Sequence, residues 1–273
     1  AWAQFPGLRQ AVSGLYFVDK FERTNATSVG AGYDVSYTIA SGAGTMGTPA
    51  GDAVAWTRAG SVANRAIARR SESATAHTQS FDQVITFNTN THVAAWQNAN
   101  ADNPNTNDAY FRMSDDKQSY VRAALTWWKG NTGAIMLTYT TSGPLGEQLI
   151  GQMPAYTKTP NILWQLRMVG NQFDVYMGLQ HIGTIVDNEG VTATGFKGWG
   201  FGMQAGDGGA QQSLPNEISE LTAADAVYFT SSIDWQLLTG GDIPKIGVGT
   251  SSAQMINPTG SIIEWDVIEV DNF

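Results

Sequence analysis

Short segments in which apolar and polar residues alternate run through most of the chain. In the stretch 164–187, apolar side chains occupy alternate positions on both sides of the dipeptide Gly170-Asn171: Leu166, Met168, Phe173, Val175 and Met177. Alternation broken by two residues that tolerate a positive φ predicts a β-hairpin. A second turn is predicted at Gly178–Gln180, before another strand.

About fifteen strand-like segments of this kind lie between Tyr16 and Asp271, separated by turns rich in Gly, Asn and Asp. The segment Leu214–Ala224 alone favours a short helix, because Pro215 and the acidic residues after it fit a helix start. The pattern therefore predicts an all-β protein, a two-sheet antiparallel β-sandwich of jelly-roll type with one short helix at most. We expect an N-terminal arm over 1–15 and a single domain over 16–273.

The composition fits this prediction and excludes several kinds of site. With 42% hydrophobic residues and 9 Trp, the chain can bury a sizeable core. It contains no Cys, so disulfides and thiolate chemistry are excluded, and its 3 His are isolated, which argues against a His-rich metal site. No signal peptide and no apolar run of membrane-spanning length are visible, and we expect synthesis in a cytosol.

Acidic residues outnumber basic ones, and the excess lies near the C-terminus. The net charge is −9, and residues 211–273 hold nine acids against a single base, Lys245. An acidic surface repels phosphate backbones, so nucleic acid is not expected as the partner. The segment 102–108, DNPNTND, is rich in oxygen ligands but lacks the spacing of a calcium loop, and we expect a polar surface loop there.

Several segments resemble one superfamily when they are taken together: FERTN (21–25), NRAIARR (64–70), DAYFRM (108–113), RMVGNQFDVY (167–176), HIGTIVD (181–187) and GWGFGM (198–203). Their order is similar to that of concanavalin A-like (laminin G-like) β-sandwich domains, and specifically to the lectin-like domains of minor tail proteins in siphophages of actinobacteria. The resemblance covers about residues 17–273.

This resemblance implies a non-enzymatic virion protein, a minor tail protein at the tail tip that binds a glycan of the host surface. It also implies other tail proteins as partners, a symmetric multimer with a trimer favoured, and location in the virion tail. Two alternatives remain open: an enzyme that acts on envelope polysaccharide, and a purely structural decoration subunit of the capsid or tail.

Aromatic and amide side chains supply the candidate glycan site. Trp96, Trp128 and Trp199 could stack on sugar rings, with Asn98 and Asp102 bonding hydroxyl groups, although core packing is the alternative role for each Trp. On the predicted arm, the apolar residues Trp2, Phe5 and Leu8 are candidates for contact with a partner subunit, or for packing on their own domain.

The acidic C-terminal segment supplies the candidates for catalysis and for a metal ion. Glu264, Asp266 and Glu269 resemble the Glu-x-Asp-x-x-Glu pattern of retaining family 16 glycoside hydrolases, but we favour an acidic closing strand because only four residues follow. The resemblance further implies that the first and last strands meet, and that their carboxylates Asp19 and Asp271 could hold a structural Ca²⁺. No other cofactor is expected.

Overall fold

A computed structural model of the chain provides the coordinates. It describes residues 16–38, 44–70, 80–90, 104–127, 132–157, 161–207, 212–226, 254–256 and 262–264. The predicted arm, and with it Trp2, Phe5 and Leu8, lies outside these residues.

Fifteen strands make up the larger part of the described chain. In chain order they are β1 (Tyr16–Asp19), β2 (Tyr33–Tyr37), β3 (Thr45–Gly47), β4 (Ala55–Thr57), β5 (Asn64–Arg70), β6 (Gln83–Asn90), β7 (Asn105–Met113), β8 (Tyr120–Trp127), β9 (Thr132–Thr140), β10 (Gln148–Thr157), β11 (Ile162–Val169), β12 (Gln172–Met177), β13 (Gln180–Val186), β14 (Gly198–Ala205) and β15 (Glu217–Asp225). The only helical element among the described residues is a 3₁₀ turn at Pro144–Gly146.

The strands form two large antiparallel sheets, so the predicted two-sheet β-sandwich is confirmed. The six-stranded sheet has the order β1-β15-β6-β11-β12-β13, and the seven-stranded sheet has the order β10-β9-β8-β7-β14-β5-β2. Strands β3 and β4 form a separate two-stranded hairpin. The whole of β3 falls in the Gly-rich segment 41–47, for which the sequence predicts a turn, so that prediction is wrong over these three residues.

One hydrophobic core joins the two large sheets, because alternate residues of both point inward. The rings of Phe111 on β7 and Phe173 on β12 meet edge to face with centroids 6.0 Å apart. Near the β10 and β13 edges the sheets approach closely, since a Cβ on Gly151 would lie 2.8 Å from Ile185. A larger residue at position 151 would therefore push the two layers apart.

The hairpin predicted around Gly170-Asn171 is confirmed. Strands β11 and β12 pair with Val169 opposite Gln172, and Gly170 adopts a φ of 53°. The apolar side chains Leu166 and Phe173 are completely buried, as their alternation predicts.

The helix predicted over Leu214–Ala224 is wrong, because this segment contains strand β15. A bulge between Ile218 and Glu220 shifts the register against β6. Both Ile218 and Leu221 therefore face the core, although three positions separate them. A spacing of three is typical of a helix, which is why the sequence pattern misleads here.

The polar surface loop predicted over 102–108 is also wrong in its second half. Residues 105–108 belong to β7 and are buried. The amide of Asn105 donates to the hydroxyl of Ser213 at 2.7 Å, and the amide of Asn107 donates to the carbonyl of Asn216 at 2.8 Å. These bonds give both buried amide nitrogens a protein acceptor in place of water.

The chain divides into two compact units, residues 1–226 and residues 227–273, a division that the sequence analysis does not predict. The described part of the second unit is one hairpin, β16 (Gln254–Ile256) with β17 (Ile262–Glu264). In the first unit, β1 pairs with β15, a different strand from the C-terminal one that the resemblance implies. Within the described part of the chain, no helix has the length and apolar character needed to cross a bilayer.

Candidate functional site

Trp199 is a core residue and cannot stack on a sugar, so this glycan-site prediction is corrected. It lies on β14 with 1% of its surface exposed, and its ring packs against Phe17 at a centroid distance of 5.4 Å. Period-two alternation on β14 turns Trp199 inward, together with Phe201 and Met203.

The other predicted site residues, with two exceptions, lie outside the described residues and stay predictions: Trp96, Asn98, Asp102, Trp128, Asp266, Glu269 and Asp271. Glu264 ends strand β17, whose side chains are not described. The second exception is Asp19.

The carboxylate of Asp19 is already occupied by protein donors. Arg23 donates to it with two nitrogens at 2.7 and 2.8 Å, the backbone N–H of Phe21 at 2.8 Å, and the hydroxyl of Tyr33 at 2.9 Å. Burial acts to raise the pKa of Asp19, but these hydrogen bonds, led by that of Arg23, hold it below its usual value. Asp19 therefore closes a loop and is not free to bind Ca²⁺. Among the described residues, no group of three or more His, Cys, Asp or Glu side chains could hold a metal ion.

A groove of about 270 Å³ lies on the outer face of the seven-stranded sheet. Its floor includes Ile67 of β5, which is flanked by the core residues Ala66 and Ala68 and therefore points away from the core. The groove is lined by Ser36, Tyr37, Thr38, Ile67, Asp116, Lys117, Gln118, Pro144 and Leu145.

Two loops form the walls of this groove, and each is fixed by local hydrogen bonds. In the loop between β7 and β8, the backbone N–H of Ser114 donates to the carbonyl of Ser119 at 2.8 Å, and the N–H of Ser119 returns to the Ser114 hydroxyl at 2.9 Å. In the loop between β9 and β10, the hydroxyl of Thr140 donates to the carbonyl of Gly143 at 2.8 Å. The walls are therefore built before any ligand arrives.

A buried network of charges supports the second wall from below. Nη1 of Arg65 lies 2.9 and 3.0 Å from the two carboxylate oxygens of Glu147. Nη1 of Arg122 donates to the same carboxylate at 3.0 Å, and its Nη2 donates to Asp108 at 2.9 Å. The hydroxyl of Tyr120 adds a bond to Glu147 at 2.7 Å. Because Glu147 ends the wall loop, this network fixes the loop to β5 and β8.

The network keeps Glu147 ionised. Burial alone would raise the pKa of this carboxyl, but the guanidinium groups of Arg122 and Arg65, with the hydrogen bond from Tyr120, lower it below its usual value. Burial and the nearby charge of Glu147 raise the pKa of Tyr120 well above its usual range, so this phenol keeps its proton. A general acid needs a proton on its carboxyl near neutral pH, which Glu147 lacks.

Sequence reasoning missed this cluster of Arg65, Asp108, Arg122 and Glu147. One signal was available, because Arg65 and Arg69 alternate with the core residues Ala66 and Ala68, which places both charges on one outward face. The partner of Arg65, Glu147, follows a turn 82 residues later in the chain. No local sequence pattern predicts that pairing.

Comparison with curated proteins finds no match. Solved structures show distant likenesses. The carbohydrate-binding module CBM66 from Bacillus subtilis is 12% identical, with a TM-score of 0.39, over 71% of this chain and 96% of the module. The CBM2 module of the evolved Dit of Lactobacillus casei BL23 phage J-1 is 10% identical, with a TM-score of 0.45, over 80% of this chain and 100% of the module.

The kappa-carrageenase from Pseudoalteromonas carrageenovora, in complex with an oligotetrasaccharide, is 9% identical, with a TM-score of 0.47, over 82% of this chain and 100% of that chain. The fold assignment rests on the strand order and the core of this chain rather than on these scores. A family described as "Domain of unknown function (DUF7257)" matches residues 1–229, and the chain belongs to that family.

Proposed function

We propose that this chain is a non-enzymatic structural protein of a phage virion, a minor tail protein at the tail tip, which binds a host-surface glycan in the groove beside Ile67. The observation that carries the proposal is the preformed groove, in which neutral hydrogen-bonding groups stand next to aliphatic ones. Hydroxyls and amides bond to sugar hydroxyls, and aliphatic side chains contact the C–H faces of the sugar rings.

The resemblance to tail proteins supports the virion setting. The segments that carry it, NRAIARR, DAYFRM and GWGFGM, fall in β5, β7 and β14, which are neighbours in the seven-stranded sheet below the groove. A tail tip carries several copies of its subunits, so weak binding at each groove would add up to firm attachment.

The state of the nearby carboxylates supports binding rather than hydrolysis. Both Asp108 and Glu147 are bound by Arg122, and Glu147 has a lowered pKa. Glu147 therefore does not serve as the protonated acid that glycoside hydrolysis requires, and Asp108, held by Arg122, is not a free nucleophile.

A glycan array probed with the complete chain tests the binding, and we expect retention of at least one class of surface polysaccharide. If no glycan is retained, the chain is a scaffold subunit and the binding proposal fails. Retained glycans should release no reducing ends on long incubation. Release that Glu264→Gln abolishes would instead establish the hydrolase alternative.

The virion setting has its own experiment. Antibodies raised against the complete chain should label one end of the tail in electron micrographs of the phage that encodes it. Labelling of the capsid, or of no particle, would contradict the proposed location whatever the array shows.

A further inference from the structure

The positive charges nearest the groove are already paired with carboxylates. Nζ of Lys117 lies 2.5 Å from the carboxylate of Asp34 on β2. Nη2 of Arg69 lies 2.5 Å from the carboxylate of Asp115, which belongs to the loop that forms the first wall. Each pair is close to charge-neutral, so neither cation presents an uncompensated positive charge to an approaching anion.

The cations under the second wall are paired in the same way. Arg65 and Arg122 share Glu147, and Arg122 also binds Asp108. All of these side chains are largely buried. An incoming phosphate or carboxylate would have to displace a buried partner, and removing one partner from a buried pair is strongly unfavourable.

The remaining charge on the rim is negative. The carboxylate of Asp116 accepts hydrogen bonds from the Ser114 hydroxyl at 2.6 Å and from the backbone N–H of Gln118 at 3.0 Å. The Ser114 bond is the main reason that the pKa of Asp116 is lowered, so the group is ionised at neutral pH. It faces solvent at the groove and repels anions that approach.

The other lining groups are neutral. Ser36, Thr38 and Gln118 offer hydroxyl and amide groups, and Pro144 and Leu145 offer aliphatic surface, with Leu145 98% exposed. The volume of about 270 Å³ is slightly below the range of ~300–1,000 Å³ that is common for drug-sized ligands, so the groove suits a unit of about one sugar ring.

We infer that the groove selects an uncharged, hydroxyl-rich sugar unit and rejects polymers that carry phosphate, sulfate or uronate groups. This inference rests on the proposed function and deepens it, since it names the chemical class of the ligand. Neutral hydrogen bonds and aliphatic contact supply the attraction, and the Asp116 carboxylate together with the paired cations supplies the discrimination.

The experiment compares two sets of polymers on the complete chain by affinity electrophoresis. The uncharged set is mannan, dextran and galactan, and the anionic set is polygalacturonate, hyaluronate and wall teichoic acid. We expect retention within the uncharged set only, with a dissociation constant that changes less than about twofold between 50 and 500 mM NaCl, because screening acts on charges.

Two variants and a matched control locate the binding. Leu145→Ser should weaken the binding of the retained polymer about five- to tenfold through lost apolar contact. The control is Leu179→Ser. Leu179 is also strongly exposed, at 90%, but it lies at the turn between β12 and β13 in the other sheet. The control should bind as the unchanged chain does. Asp116→Lys should add salt-sensitive retention of polygalacturonate.

The outcomes separate the inference from the function on which it rests. Retention of the anionic set with steep salt dependence would overturn the inference and leave glycan binding intact. Retention of an uncharged polymer that Leu145→Ser does not weaken would show that another surface binds it, and would also overturn the inference. Retention of neither set would overturn the proposed function itself.

Discussion

The backbone N–H of Gly143 donates a hydrogen bond to the carbonyl oxygen of Gln118 at 2.8 Å. This bond joins the two walls of the groove, because Gly143 belongs to the β9–β10 loop and Gln118 to the β7–β8 loop. Gly143 has φ 85° and ψ −177°, a conformation that is essentially restricted to glycine. We expect Gly143→Ala to cost about 1–3 kcal/mol of unfolding free energy and to weaken glycan binding as the walls separate.

Chemical denaturation and a binding titration on the same preparation measure both effects. Gly60→Ala is the control, since Gly60 also has a positive φ, 72°, but no atom lies near its missing Cβ. That variant should lose about 1–2 kcal/mol of stability and keep its affinity. Equal losses of affinity in the two variants would show that the bond between the walls does not shape the groove.

Removal of the Glu147 carboxylate should destabilise the chain severely. Glu147→Ala leaves the buried guanidinium groups of Arg65 and Arg122 facing each other without their shared anion. Breaking a buried ion pair in this way costs about 3–5 kcal/mol. Urea unfolding provides the measurement, and Asp34→Ala, which breaks the more exposed pair with Lys117, should cost no more than ~1 kcal/mol. Similar losses in both variants would argue against the network as a support.

The same carboxylate makes stability depend on pH. Its pKa in the folded chain lies below its usual value of about 4.5, so the stabilisation is complete above that pH and is lost as the pH falls through the folded pKa. Glu147→Gln should therefore flatten the acid side of a plot of stability against pH.

Glu217 affects the pH dependence of stability in the direction opposite to that of Glu147. Burial, and then the nearby charge of Asp52, raise its pKa, so this carboxyl stabilises the fold only at low pH, and its ionisation opposes folding as the pH rises. Glu217→Gln should thus leave stability at pH 7 unchanged or increased. For Glu147, parallel plots of stability against pH in acid for the Glu147→Gln chain and the unchanged chain would show that this carboxylate does not cause the loss of stability at low pH.

The sequence predicted the β-sandwich because period-two alternation marks the residues that face the core. Leu166 and Phe173 show the rule, since both occupy alternating positions and both are buried. The rule fails at β15, where the bulge after Ile218 changes the spacing to that of a helix. Alternation indicates which face of the sheet each side chain lies on. A single inserted residue interrupts the pattern, so that a strand is no longer recognised from the sequence.

The candidate site could be predicted much less well, for a different reason. The aromatic residue Trp199 is typical of sugar sites in composition, yet its position on β14 turns it inward. The groove depends on loops that meet across the fold, such as those of Gln118 and Gly143, and on Arg65 and Glu147, which lie far apart in sequence. Local patterns carry no information on such pairings, which tertiary packing decides.

Arg112 should hold three loops together at one end of the sandwich. Its guanidinium donates to the backbone carbonyls of Phe81 at 2.9 Å, Thr192 at 3.0 Å and Gly170 at 2.7 Å. Arg112→Met leaves these acceptors without their donor, and we expect a loss of at least ~3 kcal/mol. Hydrogen exchange should increase mainly around residues 81, 170 and 192, and uniform exchange across both sheets would contradict the local role.

Substitution of Trp199 should separate stability from binding. Its ring fills the core beside Phe17, whereas the groove lies on the opposite face of the same sheet. Trp199→Phe keeps an aromatic ring but leaves a cavity, so we expect a loss of about 1–3 kcal/mol in urea unfolding. Because no atom of Trp199 lines the groove, the affinity of the folded fraction for glycan should stay unchanged. If affinity instead falls tenfold while the fold persists, the core position cannot be its only role, and the groove is not the whole of the binding site.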